Sequence, residues 1–386
     1  MTLISNFPLE KVLNATRSKD WMKSFVPFVM GCVYLWLWWF GFSISDDVVL
    51  VVLLSLITSI GFASLGYFIN EFFDIKSDAK AGKINKLALV PIYARVGILV
   101  IVLTLTFFPW IWLPKNQLSF ILIGSQLLLF LLYSMPFPRL KESIYFSLVF
   151  DAFYAYSVPL LLSFHTFSLL AGSKTYPVWF YLFFLAVTFI GLRNILTHQI
   201  RDVFKDAVSG QKSLPMVLGL NRTILLIKLL FIYEVFLISM TLIFLLISNF
   251  IAFLLLIGYI LFAVFEYKIQ GKKVSPTLMF EDVNRVYNVF FPWLMLLVLC
   301  YDSPFGWIIL IIHSIILVPS YLWKGFVSGL KKAWFISFRF IMKDIRHWAS
   351  YTINFPIYLV FRMVGVNLRR EGISAWEFLL RKMGVK

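Results

Sequence analysis

Asn70-Glu71-Phe72-Phe73-Asp74-Ile75-Lys76-Ser77-Asp78 packs carboxylates and an amide into the end of an apolar run from Val48 to Ile69. Asn70, Asp74 and Asp78 recur at every fourth position, so on a helix they stack along one face. Glu71 stands three residues before Asp74 and can join that face. Crowded acids repel one another unless a cation sits between them. Oxygen-only ligands suit a hard divalent ion such as Mg2+, which binds through one or two carboxylates plus a phosphate. A second series follows another apolar segment, where Asn194, His198, Asp202 and Asp206 again step by four. Taken singly, either series is a hydrated helix end. Taken together and facing one another, two acidic pairs can hold two metal ions bridged by a diphosphate.

The elements that must position these groups are membrane helices. Hydrophobic residues make up 61% of the 386 residues and charged residues only 14%, a composition foreign to soluble domains. The 42 Phe and 13 Trp fit lipid-facing and interfacial positions. The formal charge of +16 raises nucleic acid as a partner, but Lys and Arg beside membrane spans account for it. Nucleic-acid binding is therefore not expected, and nothing in the sequence points to a partner protein. Cys32 and Cys300 both sit in apolar runs, which argues against a disulfide framework. Met1 to Lys23 lacks the short apolar core and small-residue site of a cleavable signal peptide.

The first apolar segment runs from about Phe25 to Phe42. Further helices are expected near 48–69, 88–108, 118–134, 144–163, 177–197, 222–247, 250–267 and 286–302, and a tenth apolar segment lies near 305–323. Alternate loops are basic. Lys76, Lys80, Lys83 and Lys86 follow the second segment, Arg139 and Lys141 the fourth, and Arg201, Lys205, Lys212 and Arg222 the sixth. Lys268, Lys272, Lys273 and Arg285 follow the eighth. The positive-inside rule then puts those loops and the N-terminus in the cytoplasm, with both acidic series on that side. From Lys324 to Lys386 basic residues interleave with Trp334, Trp348 and Trp376, a pattern expected of helices lying on membrane lipid. The expected organisation is a transmembrane bundle over residues 1–303 and an extension over 304–386. The extension combines the tenth segment with amphipathic helices.

Asn70-Glu71-x-x-Asp74-x-x-x-Asp78 resembles the first aspartate motif, N-D-x-x-D-x-x-x-D, of the UbiA superfamily of intramembrane prenyltransferases. Asp202-x-x-x-Asp206, continuing through Gly210-Gln211-Lys212-Ser213-Leu214-Pro215 to Leu218-Gly219, resembles that family's second motif. Glu71 stands in place of the usual aspartate and keeps a carboxylate one methylene longer; Ser213 replaces a threonine. The Arg-Pro that commonly follows the first motif is replaced by Lys83, Asn85 and Lys86. Tyr133-Ser134-Met135-Pro136-Phe137-Pro138, with Arg139 and Lys141 after it, resembles the family's Tyr/Pro/Lys segment.

The resemblance implies an all-α, UbiA-like bundle of about nine transmembrane helices in the inner or plasma membrane, with its active site facing the cytoplasm. It implies a Mg2+-dependent enzyme that moves a prenyl group from a polyprenyl diphosphate to a small, possibly aromatic acceptor, releasing diphosphate. Asp74, Asp78, Asp202 and Asp206 would carry the reaction as metal ligands, with Asn70 and Glu71 completing the set. Asn70, Tyr133, Arg139, Lys141, His198, Arg201 and Lys212 would bind substrate. Phe72, Phe73, Phe153 and Tyr154 lie at a depth where aromatic faces could shield an allylic cation. Asp151 falls inside the fifth segment, where an acid is costly and should turn inward, toward the acceptor or toward Arg193.

Other readings remain. Phosphoribosyl transfer to a polyprenyl phosphate would need phosphoribosyl diphosphate instead. A cation-coupled transporter would account for Asp151, but transport sites lie near the midplane and these acids gather at one mouth. A catalytically inert scaffold is at odds with intact acids in both series.

Overall fold

The computed structural model describes residues 13–22, 24–42, 45–80, 82, 84–209, 212–246, 284, 286–302 and 304–317. Of residues 204–206, 208–209, 246, 301–302 and 304–305 it describes the backbone only. The expected helix near 250–267 and the basic tail from Lys324 lie outside the described residues. The chain divides into a unit of Met1–Val318 and a second of Pro319–Lys386. All regular structure among the described residues is helical.

The long helices are α1 (Phe25–Trp39), α2 (Asp46–Lys80), α3 (Ile92–Phe107), α4 (Gln117–Ser134), α5 (Phe146–Leu170), α6 (Val178–Ser209), α7 (Leu220–Leu246), α8 (Phe291–Asp302) and α9 (Pro304–Ile316). Among the described residues six helices, α2 to α7, with α3 continued by a tighter turn to Ile111, are long and apolar enough to cross a membrane. Their outer faces fit that role: Ile92, Val96 and Val100 of α3 and Ile232 and Phe236 of α7 are all more than half exposed. Such a surface is stable against lipid and not against water. Helix α1 is different. It has 15 residues, 12 of them buried, and runs through the protein core rather than along its lipid face.

Length explains where the acids stand. A hydrocarbon layer is about 30 Å thick and takes about 20 helical residues. Helix α2 has 35 residues and α6 has 32, so both overshoot. The sequence suggests helices that stop near 69 and 197, but both continue unbroken through their acidic series. The i, i+4 spacing is therefore realised on projecting helix ends. Asp46 and Asp47 open α2 favourably at its positive pole.

Close packing fixes the frame. A Cβ on Gly61 of α2 would lie 2.4 Å from the Thr106 nitrogen of α3, and Thr58 Oγ1 donates to the Thr106 carbonyl at 2.8 Å. A Cβ on Gly191 of α6 would meet Ala152 Cα of α5 at 2.8 Å. Opposite the acidic end, His165 links Tyr176 and Asn116, each at 2.8 Å, tying two loops together.

Two features depart from the sequence reading. Helix α5, expected as one uninterrupted helix, contains a π-helical turn at Phe153–Ser157. Pro159 follows, has no N–H for the ladder and crowds the preceding turn. Arg193 does not meet Asp151. Its Nε binds Glu234 of α7 at 2.6 Å with both side chains fully buried, and its Nη2 reaches Asn284 at 2.9 Å. Tyr287 donates to the same Glu234 at 2.5 Å. Asp151 instead accepts a hydrogen bond from Tyr154, three residues on. The phenol lies one turn away on the same helix, whereas Arg193 is turned toward α7.

Candidate active site at one end of the bundle

The first acidic series is gripped from outside its own helix. Asp74 Oδ1 accepts from Arg139 Nη2 at 3.0 Å and pairs with the Lys141 ammonium. Lys141 Nζ also donates to Asn70 Oδ1 at 3.0 Å. Both cations come from the segment after α4, where Arg139 adopts a left-handed φ of 49° before a short turn over Leu140–Glu142. Ser134 closes α4 with its hydroxyl 3.5 Å from Asn70 Oδ1. Burial pushes the Lys141 ammonium below its ordinary range, and Asp74 pulls the other way.

Asp78 Oδ2 accepts from Asn85 Nδ2 at 2.9 Å, and the same nitrogen reaches the Glu71 carbonyl at 2.9 Å. Asn85 Oδ1 in turn accepts from the Ala88 amide at 3.0 Å. Buried Asn85 thus fastens the α2–α3 connection to the motif. The Glu71 carboxylate accepts from the Lys86 backbone N–H of that connection and stands 3.6 Å from Arg17 Nη1, whose guanidinium covers the Tyr67 ring at 5.2 Å.

The second series lies at the same end. Gln199 Nε2 donates to Ser147 Oγ at 3.3 Å, near the start of α5 and shortly after Lys141 in the chain. Gln199 Oε1 also accepts from the Leu214 amide at 3.3 Å. Asp202 Oδ2 stands 3.1 Å from His198 Nδ1, one turn back on α6. Of Asp206 the backbone alone is described; it continues the face of Asp202 on α6. Arg201 and Lys212 are exposed.

Asn70, Asp74, Arg139 and Lys141 therefore meet directly. Asp78 joins them through its helix, and Glu71 turns toward Arg17. Tyr133 lies one residue inside Ser134, its ring 5.1 Å from Tyr154, which is 5.3 Å from Phe130. Phe72 is exposed and packs against Phe68 and Phe73, so it faces away from this aromatic row. Sequence reasoning missed the anchoring parts played by Asn85, Ser134 and Arg17. For Asn85 a signal was present: it stands where an Arg-Pro is usual.

A model of the UbiA prenyltransferase family matches residues 24–273. Among solved structures, the chain is similar to a UbiA homolog from Archaeoglobus fulgidus bound to GPP and Mg2+. That likeness has 18% identity and a TM-score of 0.55, over 75% of this chain and 99% of that one. The same homolog bound to DMAPP and Mg2+ gives 18% identity and a TM-score of 0.54, over 75% and 99%. A structure of digeranylgeranylglyceryl phosphate synthase gives 18% identity and a TM-score of 0.50, over 76% and 96%. Likeness at this identity concerns the fold. No curated protein sequence matches at a significant level.

Proposed function

Because the chain belongs to the UbiA prenyltransferase family, we propose that it transfers a prenyl group from a polyprenyl diphosphate to a small acceptor, releasing diphosphate. The observation that carries this reading is the meeting of Asn70, Asp74, Arg139 and Lys141 at the end of the bundle. It sets anionic oxygens and cations side by side where a charged head would emerge from an apolar interior.

The donor chemistry fits Mg2+, the ion carried by the Archaeoglobus homolog in its prenyl diphosphate complexes. Asn70, Asp74, Asp78 and Asp202 offer only hard oxygens, and we assign Asp206 to the same set. An ion at such a site takes part of its shell from substrate phosphate and water. When bound, Mg2+ supplies positive charge at the leaving diphosphate. Lys141 and Arg139 bind phosphate oxygens directly, as a point charge and a planar fork. Tyr133, Tyr154 and Phe130 line the path just inside and keep water from the allylic carbon.

The test uses the full chain in lipid nanodiscs with labelled prenyl diphosphates of several lengths and a lipid extract as the source of acceptor. Diphosphate release should depend on the prenyl diphosphate and stop on chelation of Mg2+. Release that requires phosphoribosyl diphosphate instead would replace this reaction with transfer to a polyprenyl phosphate.

A further inference from the structure

One ring inside the charged end, the π-helical turn of α5 collects hydrogen-bond acceptors that the protein leaves unused. Gln126 of α4 is 1% exposed. Its Nε2 donates to the Tyr154 carbonyl at 2.6 Å, and its Oε1 is buried without a partner. The orientation is determined: turned over, the amide oxygen would face that carbonyl. From the other side, Asn194 Nδ2 of α6 donates to the Tyr156 hydroxyl at 2.7 Å, and its Oδ1 is likewise buried and unpartnered. Asp151, on the same helix three and five residues before Tyr154 and Tyr156, takes its hydrogen bond from the Tyr154 hydroxyl. Two orphaned amide oxygens and a carboxylate thus flank one turn.

Buried acceptors are rarely left unsatisfied, because each has given up its water. An amide oxygen can only accept, so it is satisfied only by a donor. A carboxylate asks for a donor too and repels anions. The cation of the neighbouring turn, Arg193, is committed to Glu234 and Asn284.

We propose that Asp151, Gln126 and Asn194, set around the Phe153–Ser157 turn, form the acceptor subsite, and that it takes an uncharged hydroxyl on an apolar body. This rests on the transfer reaction proposed above and narrows it. A hydroxyl, alkyl or phenolic, donates into this ring of acceptors. A carboxylate or phosphate head meets the Asp151 carboxylate, and Arg193 of the neighbouring turn is already paired. A chain of contacts joins the subsite to the charged end: the Tyr154 ring lies 5.1 Å from that of Tyr133, and the next residue, Ser134, reaches Asn70, which Lys141 also holds. A nucleophilic oxygen held here therefore lies on the path of the allylic carbon.

The experiment measures binding of three probes to the full chain in nanodiscs, with the diphosphate site saturated by Mg2+ and an unreactive prenyl thiodiphosphate: hexadecanol, palmitate and hexadecyl phosphate. 4-Hexadecylphenol separates an alkyl from a phenolic source. Wild-type protein should bind the alcohol or the phenol at least about tenfold more tightly than either anion. Gln126→Leu should weaken the neutral probe by about tenfold. Asp151→Asn keeps the shape and removes the charge, so it should gain affinity for the two anions, a change that misfolding cannot imitate. Tighter binding of palmitate or hexadecyl phosphate by wild-type protein would overturn the proposal. So would an Asp151→Asn protein that folds and still excludes both anions. Wild-type protein that binds the neutral probe but releases no diphosphate would support the subsite and strike the transfer reaction instead.

Discussion

The two acidic series share a spacing and an end of the bundle, but they are held differently. Asp74 shares one oxygen between two cations delivered by another loop, and its side chain is 16% exposed. Asp202 meets His198 of its own helix, with the two side chains 27% and 55% exposed. Charge at the first series is balanced by partly buried cations from another segment; in the second, Asp202 is the more open acid. Identical spacing on a helix therefore specifies a face and says little about how firmly that face is held.

The sharpest way to break this contrast is to remove one acid from each series. Asp74→Ala should lower Mg2+-dependent diphosphate release by at least about a hundredfold, since lost charge stabilisation of this kind is worth roughly 2.7–4 kcal/mol. Asp206→Ala should do the same, and the double variant should be scarcely worse than either, because groups serving one unit are not additive. Multiplying losses would mean two separate sites, however alike their sequences. Asp74→Ala should also lower the melting temperature, because Lys141 and Arg139 lose the carboxylate they share.

Lys141→Ala comes next. A buried hydrogen bond to a charged group is worth roughly 1.5–3 kcal/mol, so KM for the prenyl diphosphate should rise by about tenfold or more. An unchanged KM would remove Lys141 from the substrate. Asn85→Ala should cost less, roughly threefold to tenfold in activity at a neutral-bond scale of about 0.5–1.5 kcal/mol. It should also lower the melting temperature, because the α2–α3 connection loses its fastening. Equal losses at Asn85 and Lys141 would show that position counts as much as charge. The smallest effect belongs to His198→Ala. Half-exposed pairs are worth about 0.2–1 kcal/mol, so turnover should stay within a few-fold of wild type. A loss as large as that of Asp74→Ala would make His198 a reacting group and dissolve the contrast.

How much of this was legible in the sequence follows from which interactions are local. Helical class, the two acidic faces and their common end are written in short-range periodicity and in the alternation of basic loops. Arg139 and Lys141 were nominated by their place in a motif, and both reach Asp74. What escaped was set by long-range pairing. Arg193 could be matched with Asp151 on cost alone, but only the packing of α6 on α7 reveals Glu234. Asn85 looked like a departure from a pattern until its two hydrogen bonds to the first series were visible. The π-helical turn escaped because Pro159, just after it, reads only as part of an apolar segment.

The Arg193–Glu234 pair also bears on how the protein is made. Either side chain alone raises the cost of inserting its helix by a few kcal/mol, roughly 2.5–3.5 at the centre on insertion scales. The two helices that carry them are consecutive, separated by little more than the turn at Leu214–Leu218. Helices α6 and α7 can therefore leave the ribosome and enter the bilayer as one hairpin whose charges cancel before either is exposed to lipid. Asn284 and Tyr287 are synthesised later and close over a pair already formed. A chain carrying Glu234→Ala would hand the insertion machinery a lone arginine. Its defect should appear first as poor integration of α6, measured by glycosylation mapping, before any question of catalysis arises.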